Sequence, residues 1–247
     1  MSDPIVQLKN VTRTYHQGDI EVPALRGINL SVMPGEFTAL CGPSGSGKTT
    51  ALNIIGALDK PNGGQVFVDG IDIAQLSQKE RSTLRRDRVG FVFQAYNLIP
   101  VLTAYENAEA VLSLQGRGEA KKDDVMKLLA DVGLQGMEHR RPHEMSGGQQ
   151  QRVAIARAIA AEPAVVLADE PTANVDSQTA ETLLDIMGKL NRDRGITFLF
   201  STHDPRVMKH ARRIVTLVDG QIASDETKDA GTEAAGIAPA TPIAATA

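Results

Sequence analysis

Cys41-Gly-Pro-Ser-Gly-Ser-Gly-Lys48-Thr49-Thr50 is the stretch that decides the fold. An apolar run from Phe37 to Leu40 leads into it, and Ala51-Leu52-Asn53-Ile54-Ile55 continues beyond it as a helix-forming segment. Gly42, Gly47, Lys48 and Thr49 fit the spacing G-x-x-x-x-G-K-[ST]. Glycines at this spacing let the backbone curl until successive N–H groups face one point, and the following helix adds its unpaired N-terminal donors and positive dipole end. Such a loop holds phosphate. Lys48 is placed to reach β- and γ-phosphates, and Thr49 to offer its hydroxyl to Mg²⁺. The expected nucleotide cradle is thus Gly42, Pro43, Ser44, Gly45, Ser46, Gly47, Lys48, Thr49 and Thr50. A plain Gly/Ser-rich turn is the competing reading, and the strand and helix patterns on either side weigh against it.

Working outward, two patterns of polarity alternate along the chain. Ile5–Lys9, Gly27–Val32 and Gln65–Gly70 mix apolar and polar residues in turn, the mark of antiparallel strands with one face in solvent. Val89–Phe93, Ala164–Ala168, Thr197–Phe200 and Ile214–Val218 are short and apolar throughout, as strands buried on both faces of a parallel sheet are. Helices are expected over Lys48–Leu58, Lys79–Arg88, Glu119–Val132, Gln149–Ala161 and Ser177–Arg194. The fold class is therefore α/β, a phosphate-loop core with a mostly parallel sheet and an N-terminal antiparallel β subdomain. One domain spans residues 1–224. From Asp225 the composition shifts to Ala, Thr, Gly and Pro, and residues 225–247 read as a disordered tail.

Composition narrows the function classes. A net charge of −4 gives no electrostatic case for a nucleic-acid partner. One cysteine excludes an intrachain disulfide, and Cys41 at a strand end reads as a small buried residue. No apolar run reaches the length of a membrane span, and Met1–Asn10 has no signal-peptide pattern. The expectation is a cytoplasmic protein whose membrane role, if it has one, comes through a partner.

Two further motifs carry chemistry. Val165-Val-Leu-Ala-Asp169-Glu170 is an apolar strand ending in two carboxylates, which is costly unless they meet a cation or a reacting group. Asp169 suits Mg²⁺, and Glu170 suits a general base for a water attacking the γ-phosphate. Two carboxylates capping the next turn is the plainer alternative. Met145-Ser146-Gly147-Gly148-Gln149 then opens an Ala-rich helix, a second set of backbone donors ready for an anion. One chain need not bring both donor sets to the same nucleotide, whereas two copies set head to tail would.

Together these motifs resemble the nucleotide-binding subunit of an ATP-binding-cassette (ABC) transporter, over about Ile5 to Ser224. The order matches: phosphate loop, Gln94 in Phe91-Val-Phe-Gln94, the Ser146-Gly147-Gly148-Gln149 signature, Asp169-Glu170, then Ser201-Thr-His203-Asp204. The resemblance implies a helical signature subdomain, ATP and Mg²⁺ as ligands, and ATP hydrolysis by a pair of subunits. It implies that Tyr15 stacks on adenine, although a Tyr half in the core is an equal reading of that residue alone. It further implies that Gln94 meets Mg²⁺ or the attacking water and that His203 bonds the γ-phosphate. Asn174-Val175-Asp176 would cross to the opposing subunit. Ala173 and Val175 stand where the family more often has Gly and Leu. A narrower similarity, in Arg85–Pro100 and Leu102–Asn107, is to the ATPases of the lipoprotein-release and macrolide-export group. That similarity implies an integral-membrane permease, a second copy of the chain and a periplasmic adaptor as partners, at the cytoplasmic face of the inner membrane. A signalling or division-regulating complex, or a soluble ABC ATPase of DNA repair or translation, are the rival readings.

Overall fold

The alternating segments and the apolar segments end up in different sheets. The computed structural model describes residues 3–18 and 20–228. The chain begins with β1 (Val6–Gln17) and β2 (Ile20–Val32), followed by β3 (Phe37–Cys41), α1 (Lys48–Ile55), β4 (Gly63–Val68), β5 (Ile71–Asp72), α2 (Gln78–Arg88) and β6 (Val89–Phe93). A run of helices comes next: α3 (Ala104–Leu114), α4 (Lys122–Asp131) and α5 (Gly147–Ala160). β7 (Val165–Asp169), α6 (Ser177–Arg194), β8 (Phe198–Ser201), α7 (Pro205–His210), β9 (Arg213–Val218) and β10 (Gln221–Thr227) complete it.

A 4-stranded sheet has the order β2-β1-β4-β5, every pair antiparallel. A 6-stranded sheet has the order β10-β9-β3-β8-β7-β6, parallel except for β10 at its edge. Side chains alternate across the second sheet and divide the interior in two. Phe37, Ala39, Val166, Ala168, Phe198 and Phe200 face the core formed with α3 to α6, where the Phe37 and Phe200 rings sit 4.6 Å apart. Leu40, Val165, Leu167 and Leu199 face the opposite way, onto α1 and the apolar side of the antiparallel sheet. β3 is buried along its whole length because it is covered on both faces.

Several elements are longer, shorter or additional to expectation. β1 and β2 form an extended hairpin whose outer half is exposed, Ile20 and Val22 included, so no buried face marks it. The stretch expected as one helix over Glu119–Val132 is a 3₁₀ turn at Glu119–Lys121 followed by α4. α3 was not among the expected helices, yet it begins with a full capping box, Thr103 and Glu106 each accepting from the other's N–H. β10 carries the sheet past residue 224 to Thr227, because Asp225 pairs with Arg213 at 2.7 Å and Lys228 donates to Met208 O and Lys209 O. The remainder of the expected tail lies outside the described residues.

Candidate nucleotide site

Strand register assembles the site. Phe93 pairs with Asp169, Asp169 with Ser201, and Leu40 with Ser201. Three parallel strands therefore end level, and the residues that follow them, Gln94, Glu170 and Thr202, leave the sheet together beside the loop after Cys41. Open α/β sheets bind ligands at this carboxyl edge.

In the loop, two glycines are required by close approach. A Cβ on Gly42 (φ 142°) would lie 2.0 Å from Leu217 O, and one on Gly47 (φ 103°) 2.4 Å from Ala24 O. The same close packing brings β2 and β9 against the loop and fixes its curl. Gly47 is the N-cap of α1 and offers no side-chain acceptor, so the first-turn N–H groups stay open to an anion. In α5 and α6 a side chain takes one such N–H: Ser146 Oγ accepts from Gln149 N, and Asp176 Oδ1 from Thr179 N. Lys48 is buried and folds back over the loop, its Nζ donating to Gly42 O at 2.8 Å and Pro43 O at 3.0 Å. Ser46 Oγ is buried with no hydrogen-bond partner among the described residues, an orphan polar atom inside the cradle.

Thr49 and Asp169 meet as expected: Thr49 Oγ1 donates to Asp169 Oδ1 at 3.3 Å. Hydroxyl and carboxylate make an oxygen-only donor pair. Among the described residues no group of three His, Cys, Asp or Glu can close around a metal. One carboxylate and one hydroxyl suit Mg²⁺, which takes few protein ligands and fills its shell with water and phosphate oxygens.

Glu170 follows with φ 46°, a strained value for a non-glycine residue. Its N–H donates to Ser201 O at 2.9 Å, which locks that conformation to β8. Its Oε1 lies 2.6 Å from His203 Nδ1, and its Oε2 accepts from Thr202 Oγ1 at 3.2 Å. Nδ1 facing a carboxylate carries the ring proton in either state, so Nε2 is the atom left to meet a ligand. The Glu170 side chain is 18% exposed and that of His203 72%, so the pair reaches from the sheet edge out to solvent. Thr202 escaped the sequence reading although it sits within the Ser201–Asp204 motif. It is buried, donates to Glu170 and accepts from Asp204 N at 2.9 Å. Asp204 in turn accepts from Thr172 Oγ1 at 2.8 Å and pairs with Arg206.

Tyr15 is 37% exposed on β1 opposite Val22, close in sequence to the Ala24 and Leu25 that touch Gly47. Its hydroxyl donates to Asp59 Oδ2 at 2.8 Å, and Arg13 lies 4.5 Å over its ring while pairing with Asp59 at 2.9 Å. The ring is thus held rigid from one side.

Gln94 turns toward Asn174 and makes no hydrogen bond to Thr49 or Asp169 among the described residues. Its Nε2 donates to Asn174 Oδ1 at 3.4 Å and its carbonyl accepts from Asn174 Nδ2 at 2.9 Å. Both carboxylate oxygens of Asp176 accept from Thr179, at 2.9 Å from its N–H and 2.6 Å from its hydroxyl. Those hydrogen bonds hold the Asp176 carboxyl below its usual range. The Ser146–Gln149 donors open beside these residues. A Cβ on Gly147 would meet the Tyr96 hydroxyl and Asn174 O, and one on Gly148 would meet Thr179. α5 packs on α3, α4, α6 and β6, whereas α1 packs on β2, β4, β7 and β8. Within one chain the two donor sets stand among different neighbours. Cys41 is buried as expected, and burial foremost pushes its thiol up to about 11.

The family model described as ABC transporter matches residues 25–173. The chain is similar to the ABC transporter ATP-binding protein MJ0796 of Methanocaldococcus jannaschii, 46% identical over 227 residues that make up 90% of this chain and 97% of that one. It is 48% identical over 228 residues to the lipoprotein-releasing system ATP-binding protein LolD of Anaeromyxobacter dehalogenans, covering 91% and 95%. It is 45% identical over 222 residues to the macrolide export ATP-binding/permease protein MacB of Escherichia coli, spanning 90% of this chain and 34% of that longer protein. A solved dimeric structure of MJ0796 in a post-hydrolysis state, bound to ADP and Pi, superposes with a TM-score of 0.82 at 45% identity, covering 90% and 98%.

Proposed function

The chain belongs to the ABC transporter family and is an ATPase, and from that premise we propose that two copies close head to tail on two ATP molecules to drive a membrane permease. Each site takes the phosphate loop of one copy and Ser146–Gln149 of the other. The observation that carries this reading is the separation of two open donor sets in one chain, α1's beside Asp169 and Glu170, α5's beside Asn174 and Thr179. A relative solved as a dimer supports the pairing.

In this mechanism Lys48 turns from the loop carbonyls onto the β- and γ-phosphates, and the loop N–H groups hold the remaining oxygens. Thr49 and Asp169, with Gln94 moving up, would hold Mg²⁺, which supplies charge neutralisation across the phosphates. Glu170 takes the proton of the attacking water, positioned for it by Thr202 and His203. His203, with both ring nitrogens protonated, donates from Nε2 to the γ-phosphate while Nδ1–H stays on Glu170. Tyr15 gives adenine a flat, pre-ordered face. Asn174 and Asp176 lie at the edge that meets the second copy, where Asp176 keeps its cap on α6.

No helix among the described residues is long and apolar enough to cross a membrane, so the permease is a separate chain or segment. A groove of about 330 Å³ between β6, α3 and α5, lined by Leu58, Phe91, Val111 and Leu114, supports docking of an apolar cytoplasmic segment of that partner. Leu58 and Leu114 at its rim are 47% and 71% exposed, an apolar surface that water alone would not favour. A larger groove of about 570 Å³ lies between β5 and α2 and adjoins the first along the end of α2. Similarity to LolD and MacB favours a complex of the lipoprotein-release or export kind, with a periplasmic adaptor in the export case, over the signalling alternative.

Glu170→Gln keeps the size but removes the base, and its amide NH₂ cannot accept one of the two hydrogen bonds that Glu170 receives. Turnover should fall about 100-fold or more while ATP-induced dimers accumulate on a sizing column. Near-normal turnover would remove Glu170 from its role.

A further inference from the structure

The turn after β6 is held in an unfavourable shape, and what holds it comes from α5. Tyr96 and Asn97 are consecutive non-glycine residues with φ 57° and 49°. Asn97 N–H donates to Ala95 O at 2.5 Å, closing a γ-turn of the rare positive-φ kind on Tyr96. Such a turn persists only where its surroundings over-determine it. Arg157 provides that: Nη1 donates to Asn97 O at 2.5 Å and Nη2 to Tyr96 O at 2.9 Å. Burial lowers this guanidinium's pKa, and the two carbonyls are what its fork engages in place of a carboxylate.

The same helix grips the other side of Gln94. Gln151, fully buried, donates from Nε2 to Phe93 O at 3.4 Å and to Pro171 O at 2.6 Å. Gln94 is therefore bracketed by two side chains of α5, one of which also holds the residue after Glu170. Tyr96, carried on the strained turn, donates its hydroxyl to Asn174 O at 3.0 Å. Arg157 and Asn97 also line the groove of about 330 Å³.

We propose that Arg157 is a positioning residue for ATP hydrolysis, its forked guanidinium clamping the Tyr96–Asn97 turn so that Gln94 is aimed from the floor of the groove. This rests on the reading that Gln94 meets the bound metal or the attacking water. Anything seated in the groove then acts on the clamp first and on Gln94 through it.

Arg157→Lys keeps a cation in place but cannot fork across two carbonyls. In the full chain, at protein concentrations where turnover per chain has levelled, kcat should fall about tenfold with KM for ATP within about twofold. Adding Asn97→Gly should restore kcat to within about threefold, because glycine holds a positive φ unaided. A role limited to packing predicts no rescue, so an unrescued double variant overturns the proposal. So does Arg157→Lys lowering kcat by the same factor in a Gln94→Ala chain as in the unaltered one, while the Gln94 reading stands if Gln94→Ala alone is slow. An unchanged kcat in Gln94→Ala removes both. If Arg157→Lys does not fold, Asn97→Val tests the clamp from the exposed side. Its branched side chain resists positive φ, so kcat should fall about tenfold, and an unchanged kcat overturns the proposal.

Discussion

Thr202 shows how a small buried hydroxyl serves a larger group. It donates to Glu170 Oε2 and accepts from Asp204 N, so both of its hydrogen-bonding capacities are used in orienting the acid beside the phosphate loop. Thr202→Val keeps the shape and removes both bonds. We expect stability to drop by about 1–3 kcal/mol, the cost of an unpaired buried N–H, read by urea unfolding. kcat should fall about tenfold with KM little changed, since Glu170 would be misaimed while ATP contacts persist. A fall in stability without a change in kcat would confine Thr202 to the fold.

At the scale of elements, α7 is tied to the segment after β7 by one carboxylate. Asp204 caps α7 through Arg206 N at 2.9 Å and accepts from Thr172 Oγ1. Burial works to raise its pKa, but hydrogen bonds from Arg206 and Thr172 outweigh it and hold the carboxyl below its ordinary value. A depressed folded-state pKa stabilises the fold above the unfolded value, about pH 4, and that contribution fades as pH falls through the folded value. Asp204→Asn should therefore lower Tm at pH 7 and flatten the decline of Tm between pH 5 and pH 2 on the order of the lost linkage. A parallel acid decline in both chains would mean that Asp204 titrates unshifted. Elements were legible in the sequence to the degree that their signal was local. Phe37–Cys41 and Val165–Asp169 are buried on both sides, so uniform apolarity marked them, and the Ser177 start and Gly195 stop bounded α6. α3 carried a legible cap at Thr103 and Glu106 that the apolar pattern obscured, because its buried residues are Ala104, Asn107 and Ala108 with a single large apolar one, Leu112. The bonds of Gln151, Arg157 and Thr202 link positions 58, 60 and 32 residues apart, and no spacing rule exposes them.

On the proposed function, the whole molecule presents half-sites. Phosphate loop and Ser146–Gln149 were readable as motifs, whereas the packing of α1 and α5 on different neighbours was not. Complementation should report the half-sites directly. Lys48→Ala spoils one half, and Ser146→Asp spoils the other by placing a carboxylate at the anion end of α5 while retaining a good cap. Each variant alone should be inactive. An equal mixture should regain roughly a quarter of unaltered turnover, since half of random pairs are mixed and each mixed pair keeps one intact site of two. A mixture as inactive as its parents would argue for sites completed within one chain. The level ends of β6, β7 and β8 bear on how such a chain tolerates insertion and deletion. Residues 94–164 leave the sheet at the end of β6 and rejoin it at the start of the neighbouring β7. Lengthening or exchanging that helical module alters no strand phase. Loss of one residue inside Val165–Asp169 would instead turn every side chain to the opposite core and draw Glu170 back by one strand step, about 3.3 Å.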